Sequence, residues 1–532
     1  MKDRSKLGAR GAPALIAAVF VLVGGARMAD ADESAGPGHD ASADAVPEVT
    51  PIPPPAVAVV PSAPAPALSP AGVAPALPAS EAAPVELSGA AWFARPRLAL
   101  SVGEASRSFK LRFFGFLEVD YMTDTTRSYD DSMGTSLVSR TDTYENHHGR
   151  TQFSLRSTRL GFGFESPTVG EVAPSAVIES DFAGSQASPP GSTEAVYFDS
   201  PLFRIRHAYV KLKSPYVDLL MGHTFDVFGW QSFFDPSGLR NQLFSRNPQL
   251  RVSREFNPEG AVTVELAAAA VRPVQRDSGV PDGSAGLRVS FNGWQGIRTP
   301  GNERIQAMPL TLAVSGIVRQ FKANAFAPPP TQSSNYAIGW GVSFDAFLPI
   351  IPATNFVDRG NRLALMASFV KGTGIGDLIS ATGGAQFPTL RNPAYTSPPP
   401  LYETANIDQG IVSFDTAGVL HTIDWTAFRV GVQYYLPSTG RWIFSANYTQ
   451  AHSANMAMLF PHGGKETNLQ AHVADTMRYA DAKLTFDITP VVRVGVSSQY
   501  TQTVYLGDID SPLVDKDKPH NIRVSAQTIY LF

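Results

Sequence analysis

The chain of 532 residues contains no cysteine. It therefore cannot form a disulfide-stapled domain or a metal site with thiolate ligands. A basic excess is also absent, because 43 lysine and arginine residues stand against 47 aspartate and glutamate residues, for a formal net charge of -4. Such a balance leaves no electrostatic footprint for nucleic acid, and we predict no nucleic-acid partner.

Long apolar runs are scarce as well. The one long run is Pro13–Gly25, and the mean hydropathy of the whole chain is -0.06. A bundle of transmembrane helices would need repeated apolar segments of about 20 residues. The composition excludes such a bundle, but it permits a membrane β-barrel, whose strands alternate apolar and polar residues.

The first 31 residues have the organisation of a secretory signal peptide. Basic residues lie within Lys2–Arg10, the apolar run follows, and Ala29–Ala31 supplies an A-x-A cleavage site. The alternative is a retained membrane anchor, for which the run is short. The segment carries five basic and two acidic residues, so its removal would change the net charge from -4 to -7.

Residues 32–100 are dominated by alanine and proline, as in Pro51–Pro55. This composition favours extended polyproline II conformation and cannot bury a core. We predict a Pro/Ala-rich periplasmic linker without a stable fold, and a cell-wall-binding segment is the alternative. Residues 101–532 form the remaining domain.

From about residue 110 onward, segments of about ten residues alternate strictly. In Leu111–Met122, Leu117, Val119 and Tyr121 share one face, and Glu118 and Asp120 share the other. The same alternation recurs at 338–345, 362–369, 428–434, 442–449 and 492–500. It predicts strands that cross a lipid bilayer, although a soluble β-sandwich also contains alternating strands.

The connectors favour the membrane interpretation, because long polar ones alternate with short ones. The tight turns are Ser214–Tyr216, Asn257–Gly260, Pro437–Gly440 and Ile488–Pro490. The connectors near 295–308 and 349–360 are longer than this rule predicts. The pattern predicts an all-β fold, a transmembrane antiparallel β-barrel of about sixteen strands, with fourteen or eighteen as alternatives.

The final segment alternates from Ile522 to a terminal Phe532. A closing strand that ends in an aromatic residue resembles the signal read by the outer-membrane barrel-insertion machinery. This resemblance implies the Gram-negative outer membrane, with the N-terminal linker in the periplasm and lipid around the barrel.

Five pieces between Arg159 and Ser253 occur in the order found in a porin family. They are Arg159–Phe162 (RLGF), Ile178–Gly184 (IESDFAG), Arg204–Val210 (RIRHAYV), Leu219–Phe225 (LLMGHTF) and Arg246–Arg251 (RNPQLR). In this order they resemble the trimeric DcaP-like and phosphate-selective porins, and the resemblance implies a homotrimer. That family often carries an N-terminal coiled coil, whose place is taken here by the Pro/Ala-rich segment.

In this strand register, the polar face points into the lumen. We predict ten pore-lining or solute-binding residues: Arg112, Glu118, Asp120, Arg159, Glu179, Asp181, Arg204, Arg206, Arg251 and Arg288. The same face carries Glu165, Glu265, Arg319, Asp345, Arg362, Arg429, Asp481, Lys483, Arg493 and Arg523. Guanidinium groups suit bidentate contact with carboxylate or phosphate, which predicts a mild anion preference. The alternative is that these charges pair between strands and serve folding only.

A sixteen-stranded barrel leaves a wide channel unless something narrows it. The third long connector, residues 229–248, is the candidate constriction loop, with Asp235, Arg240 and Arg246 as its charged residues. By resemblance to porins it would fold into the lumen. The alternative is an outward surface loop.

An enzyme is the less favoured class. The sequence has no G-x-S-x-G or H-E-x-x-H motif, and His147 and His148 lie in a polar segment that solvent can account for. We predict no catalytic residue, no cofactor and no metal site. The function predicted is passive diffusion of small hydrophilic, anionic solutes. The alternatives are a plugged adhesin or structural barrel and a barrel hydrolase.

Overall fold

The computed structural model describes residues 98–103, 108–131, 133, 137–184, 202–229, 243–273, 278–299, 305–324, 334–353, 359–380, 411–414, 419–456, 474–506 and 517–532. The predicted signal peptide and nearly all of the predicted linker lie outside these residues. So do residues 230–242, the central part of the predicted constriction loop.

Twenty β-strands and one short helix are present in the described residues. The strands are β1 (Leu98–Val102), β2 (Phe109–Asp124), β3 (Arg150–Ser154), β4 (Arg159–Glu165), β5 (Ala173–Asp181), β6 (Arg204–Lys213), β7 (Asp218–Phe225), β8 (Arg246–Phe256), β9 (Val262–Val271), β10 (Asp282–Arg298), β11 (Gln306–Asn324), β12 (Ser334–Ile351), β13 (Arg362–Thr373), β14 (Val412–Phe414), β15 (Leu420–Thr422), β16 (Asp424–Tyr435), β17 (Trp442–His452), β18 (Ala474–Asp487), β19 (Val492–Tyr505) and β20 (His520–Leu531). The helix α1 spans Tyr144–His147.

The sheet closes on itself. Each strand pairs antiparallel with its neighbour from β4 to β13 and from β16 to β20, with β13 joined to β16, and β2 pairs with both β4 and β20. Counting one strand per position, the ring has sixteen members, which confirms the predicted antiparallel barrel. No α-helix in the described part of the chain is long and apolar enough to cross a membrane.

Two strands complete the ring at its seam. β3 pairs with the second half of β2, whereas β4 pairs with the first half. β3 and β4 therefore share one position in the ring. β1 likewise pairs with the first half of β2, where β20 pairs with the second. The described sheet therefore begins at Leu98.

The terminal phenylalanine fits a specific place at this seam. The backbone N–H of Phe532 donates to the carbonyl of Gly115 at 3.2 Å, and its ring stacks on Phe113 at 4.8 Å. Gly115 has φ +152°, and a Cβ there would collide with the carbonyl oxygen of Arg159. Only glycine satisfies both conditions without strain.

The connectors define the two ends of the barrel. Connectors of four to ten residues join β4 to β5, β6 to β7, β8 to β9, β10 to β11, β12 to β13, β16 to β17 and β18 to β19 at one end. We call this end the turn end. The opposite end carries the first and third long connectors, 125–149 and 226–245, and we call it the loop end. The start of β2 and the ends of β1 and β20 lie at the turn end.

The alternation seen in the sequence separates two environments. On β2, Leu117 and Val119 are 51% and 42% exposed, whereas Glu118 between them is 2% exposed. The apolar side chains thus form the outside of the barrel, and the charged ones face its interior. A soluble sandwich would show the reverse arrangement.

A β-bulge breaks the alternation once in the segment that carries the family resemblance. Opposite β6, Glu179 pairs with His207 but the next residue, Ser180, pairs with Ile205. Arg204 and Arg206 therefore face inward on the loop-end side of the bulge. Tyr209, on its turn-end side, also faces inward and lies beside Lys211 and Arg251. Simple alternation predicts Tyr209 on the outside, and the extra residue of the bulge is the reason that this is wrong.

Candidate functional site on the inner wall of the barrel

The ten strand residues predicted to line the lumen all lie on the inward face. They come from β2, β4, β5 and β6, which are consecutive in the ring, and from β8 and β10, which follow after β7 and β9. Their opposite faces carry exposed apolar residues such as Phe162, Ile178 and Leu250. This is the face to which the two-residue period of the sequence assigns them; their role in lining the pore stays a prediction.

Five of these residues meet in one group, which we call the arginine cluster: Arg159, Arg204 and Arg206 with Glu179 and Asp181. Arg204 donates two parallel hydrogen bonds to Asp181, at 3.0 and 2.7 Å. Arg206 bridges both carboxylates, at 2.9 Å to Glu179 and 2.6 Å to Asp181. Three guanidinium groups thus share two carboxylates, and one positive charge remains in excess.

The two signs are not equally accessible within the arginine cluster. The side chain of Arg204 is 44% exposed, whereas that of Asp181 is 3% exposed. Arg159 is likewise more exposed than its partner Glu179, 19% against 11%. Arg206, at 8%, is less exposed than Glu179, so Arg204 is the one strongly exposed charge of the cluster and the surface that it offers to the lumen is positive.

Arg246 lies close to this cluster. Its guanidinium interacts electrostatically with Arg204 and Arg206 and lies over the rings of Phe225, at 5.6 Å, and Phe244, at 5.0 Å. Contact with two aromatic faces stabilises a guanidinium group by cation–π attraction. It adds a second positive charge beside the cluster.

The remaining predicted arginines on this side have separate partners. Arg112 is paired with Glu165 at 3.3 Å, both half-exposed. Arg251 donates to Gln249 at 3.0 Å and to the carbonyl of Phe225. Arg288 is paired with Glu265. The expected pairing between strands occurs, but it leaves Arg112 and Arg288 partly accessible.

Glu118 and Asp120 form an acidic pair on β2. Asp120 is hydrogen-bonded to Glu118, and Lys483 on the inner face of β18 lies near enough to interact with it. The main chain at Glu118 bonds the Thr158 hydroxyl at 3.1 Å, because β3 and β4 are separated at that point. These carboxyl groups lie in the wall and are largely shielded from the lumen.

Four arginines on the other side of the barrel are buried: Arg319, Arg429, Arg493 and Arg523. Arg319 on β11 is 1% exposed and contacts Asp282 at 2.9 Å and Asp377 at 2.5 and 2.8 Å. Arg493 and Arg359 share Asp487, each at 2.7 Å. We call the inner face of β4–β10 the open side and that of β11–β20 the covered side.

Polar residues in mid-strand show the same difference. On the covered side, Ser343, Gln433, Ser445 and Lys483 are each at most 2% exposed. On the open side, Arg288 is 27% exposed. Arg288 is therefore more accessible to water than these covered-side residues.

The described ends of the third long connector lie against the inner wall. Val227 packs on Ala267, Ala269 and Val271 of β9. The backbone N–H of Gly229 donates to the hydroxyl of Ser315 on β11 at 2.9 Å. The loop therefore leaves β7 along the interior of the barrel. Asp235 and Arg240, which were predicted to act in the constriction, lie outside the described residues.

This connector meets a second inward segment at the loop end. Leu243 forms a β-bridge with Ile379 in the connector after β13, and the N–H of Phe244 donates to the carbonyl of Leu378. Around them is an apolar cluster on the covered side: Phe228, Leu243, Ile317, Val370, Ile375, Leu378, Ile379, Ile423, Trp425, Ala427, Ala451, Met456, Ala474, Met477, Tyr505 and Leu506. These packed side chains keep water from the loop end of the covered side.

The two turn-end connectors that are longer than the rule of short turns predicts also fold inward. The N–H of Thr299 donates to Gln433 at 2.7 Å, and its hydroxyl bonds the hydroxyl of Tyr435 at 2.8 Å. Arg359, in the connector before β13, reaches Asp487 on β18. Burial lowers the pKa of Arg359, and the neighbouring Asp487 opposes that shift. These two connectors therefore lie over the turn end of the covered side.

Arg156 and Asp226 are two interior residues that were not predicted from the sequence. Arg156 lies between β3 and β4 and donates to Asp131 at 2.7 Å and to the carbonyls of Phe182 and Gly184 at 3.1 and 2.9 Å, so it joins the first and second long connectors. Asp226 accepts from the N–H of Val227 at 2.6 Å and from Ser284 at 2.7 Å. Neither follows an alternating pattern, so no local signal could have identified them.

The comparisons with known proteins support the fold. No protein-family model matches the chain, and no curated protein matches its sequence. Among solved structures, the outer membrane channel DcaP of Acinetobacter baumannii superposes with a TM-score of 0.53 at 16% identity, covering 81% of this chain and 99% of that chain.

Two further solved structures match with lower scores. OmpT, an outer membrane protein of Vibrio cholerae in its trimer form, has a TM-score of 0.42 at 13% identity, over 80% of this chain and 99% of that one. The anion-selective porin from Comamonas acidovorans has a TM-score of 0.43 at 10% identity, over 80% and 100%. The match to the DcaP channel shows a shared barrel fold, and the resemblance to DcaP-like porins predicted from the sequence is confirmed at the level of the fold.

Proposed function

We propose that the protein is an outer-membrane porin through which small hydrophilic solutes diffuse passively, with a preference for anions. The observation that carries the proposal is the arginine cluster on the open side, where the Arg204 guanidinium is 44% exposed and its carboxylate partner Asp181 is buried. An anion passing this wall meets donors and positive charge at the surface, which lowers its energy in the channel.

The third long connector supports this function, because both of its described ends enter the interior of the barrel. Its described ends lie inside the barrel, beside Ser315 and Ser284, and Arg246 at its far end faces the arginine cluster. We propose that residues 229–248 form the constriction, with Arg246 as one of its charges. Solutes such as dicarboxylates, phosphate or anionic sugars fit a wall of paired guanidinium donors.

The surroundings of the barrel follow from the same assignment. We propose that residues 1–31 are a signal peptide, that 32–100 lead through the periplasm to β1, and that the turn end faces the periplasm. The exposed apolar outside contacts lipid and, in a homotrimer, neighbouring subunits. A lumen that does chemistry on its solutes is not needed to explain any contact described above.

A plugged structural barrel is the second candidate, and one observation favours it. The apolar cluster at the loop end and the inward connectors at the turn end fill the covered side. The open side keeps exposed charges, however, which a fully plugged barrel would have to bury at a high cost in free energy.

Conductance in a planar lipid bilayer distinguishes the two candidates. A porin gives stepwise, ohmic currents, whereas a plugged barrel gives none. In a potassium chloride gradient the reversal potential should indicate preference for chloride. Silent insertion, or preference for potassium, would contradict the proposal.

One substitution locates the preference. Arg204→Gln should lower the chloride-to-potassium permeability ratio roughly two- to fivefold, since a unit charge about 4 Å from an ion is worth about 1 kcal/mol in water. Arg206 remains to pair with Asp181, so the fold should persist. The matched control is Arg254→Gln, which removes the same charge from the outward face of β8. An equal change in both variants would show that the arginine cluster does not set the preference.

A further inference from the structure

A cavity of about 210 Å³ opens on the inner wall near the turn end, away from the arginine cluster. Two rows of inward residues across neighbouring strands form its floor. In one row Glu255 on β8 lies opposite Glu265 on β9, which lies opposite Arg288 on β10. In the next row Thr263 lies opposite Ser290, which lies opposite Thr311 on β11.

The charges in the first row are not balanced. Arg288 is ion-paired with Glu265. Glu255 has no ion-pair or hydrogen-bond partner in the described part of the chain and interacts with Arg288 only at longer range. Like charges directly opposite each other on adjacent strands repel. The cavity is therefore one negative charge in excess, the opposite of the arginine cluster.

The hydroxyl groups of the second row leave acceptors, not donors, for a ligand. Thr311 donates to the carbonyl of Pro309 at 2.9 Å, so the 3.2 Å bond between the Ser290 and Thr311 hydroxyls has Ser290 as its donor. The Ser290 oxygen keeps its lone pairs for a ligand. Together with the Glu255 carboxylate, it offers acceptors that only a hydrogen-bond donor can satisfy.

The third wall of the cavity is apolar. Met308 and Pro309 of β11 line it opposite the carboxylates. The volume is smaller than that of typical drug-sized pockets, about 300–1,000 Å³. The space therefore fits a short aliphatic chain with a charged donor at its end.

We propose that this cavity is a binding subsite for a small organic cation, a primary ammonium group on a short aliphatic chain. The ammonium group lies between Glu255 and the Ser290 hydroxyl, where it relieves the repulsion between Glu255 and Glu265. The methylene groups lie against Met308 and Pro309. This subsite is distinct from the anion preference proposed above and does not depend on it.

The test is binding of 1,4-diaminobutane to the complete protein in detergent at neutral pH, measured by isothermal titration calorimetry. Wild type should bind the diamine and should not bind butane-1,4-diol, which has the same chain without charge. Glu255→Gln should weaken binding about tenfold or more, since a hydrogen bond to a charged group is worth about 1.5–3 kcal/mol and tenfold corresponds to about 1.4 kcal/mol.

Glu165→Gln is the matched control. Glu165 is also an inward carboxylate near the turn end, but it is paired with Arg112 and lies outside the cavity. Its loss should leave diamine affinity unchanged. Failure of the wild type to bind, equal binding of the diol, or equal losses in both glutamine variants would overturn the proposal. The third outcome would indicate attraction by the lumen as a whole.

A second variant guards against misfolding of the first. Ser290→Ala removes one acceptor and keeps every charge, and it should weaken diamine binding about threefold. Unchanged affinity in folded Ser290→Ala would also contradict the proposed position of the ammonium group. Because binding is measured without current, this result is independent of whether the barrel conducts.

Discussion

The open and covered sides of the barrel are built from the same kind of strand but differ in what happens to their charges. On the open side, Arg204 is 44% exposed and its carboxylate partner is buried. On the covered side, Arg319 is 1% exposed and sealed between two carboxylates. The difference teaches that an inward-facing arginine is not by itself a pore residue, because the connectors decide whether water reaches it.

The largest expected effect concerns access to water. The chain has no cysteine, so a single introduced thiol reports its own surroundings. Ser253→Cys on the open side should react with a charged, water-soluble methanethiosulfonate about a hundredfold faster than Ser445→Cys on the covered side, which is 1% exposed as serine. A protected thiol reacts only after local opening, which costs free energy. Equal rates would remove the distinction between the two sides.

The next effect concerns stability. Arg319→Ala leaves Asp282 and Asp377 buried without their cation, and we expect a loss of about 3–5 kcal/mol in the free energy of unfolding. Urea denaturation in detergent measures it. Arg112→Ala is the control, because Arg112 and Glu165 are both about 41% exposed and such a pair contributes little. A small loss for Arg319→Ala would show that its network is not structural.

A smaller effect concerns the anchor of the third long connector. Asp226→Ala removes the acceptor for Val227 and Ser284, at a cost of about 1–3 kcal/mol, so the loop should loosen and single-channel conductance should rise. Asp226→Asn keeps an acceptor oxygen and serves as the control. If conductance is unchanged in Asp226→Ala, the described end of the loop does not control the width of the lumen.

The same anchor should respond to pH. Burial raises the pKa of Asp226, with the hydrogen bonds from Ser284, Phe228 and Val227 opposing the shift. The folded state therefore holds the proton more tightly than the unfolded chain, and its stability falls as pH rises from about 4 through the folded pKa. Noise in the open-channel current should increase over this interval in wild type and should be flatter in Asp226→Asn. Current noise that falls with rising pH would contradict the predicted direction of the change in stability.

The smallest effect tests the turn-end connectors. Thr299→Ala removes the bond between its hydroxyl and that of Tyr435, which should lower the free energy of unfolding by about 1 kcal/mol. Conductance and ion preference should not change, since the proposed path of the solute runs along the open side. A change in either would indicate that this connector borders the path.

Much of the fold could be predicted because barrel strands carry a local signal. The two-residue period of Leu117, Glu118 and Val119 predicts which side chains contact lipid, and this prediction does not depend on distant parts of the chain. The predicted count of sixteen strands followed from it and is confirmed. The bulge at Ser180 and Ile205 could not be read in this way, because one extra residue resets the period without leaving its own pattern.

What the sequence determined by itself was therefore the sheet: alternating strands, closure and a charged inner face, since each depends on neighbouring residues and on the solvent that they meet. What only the tertiary structure decided was which charges remain accessible. Arg204 and Arg319 look alike in the sequence, and they differ because connectors distant in the chain pack over one and leave the other open. Packing between distant segments has no local period, so its outcome appears only when the chain is folded.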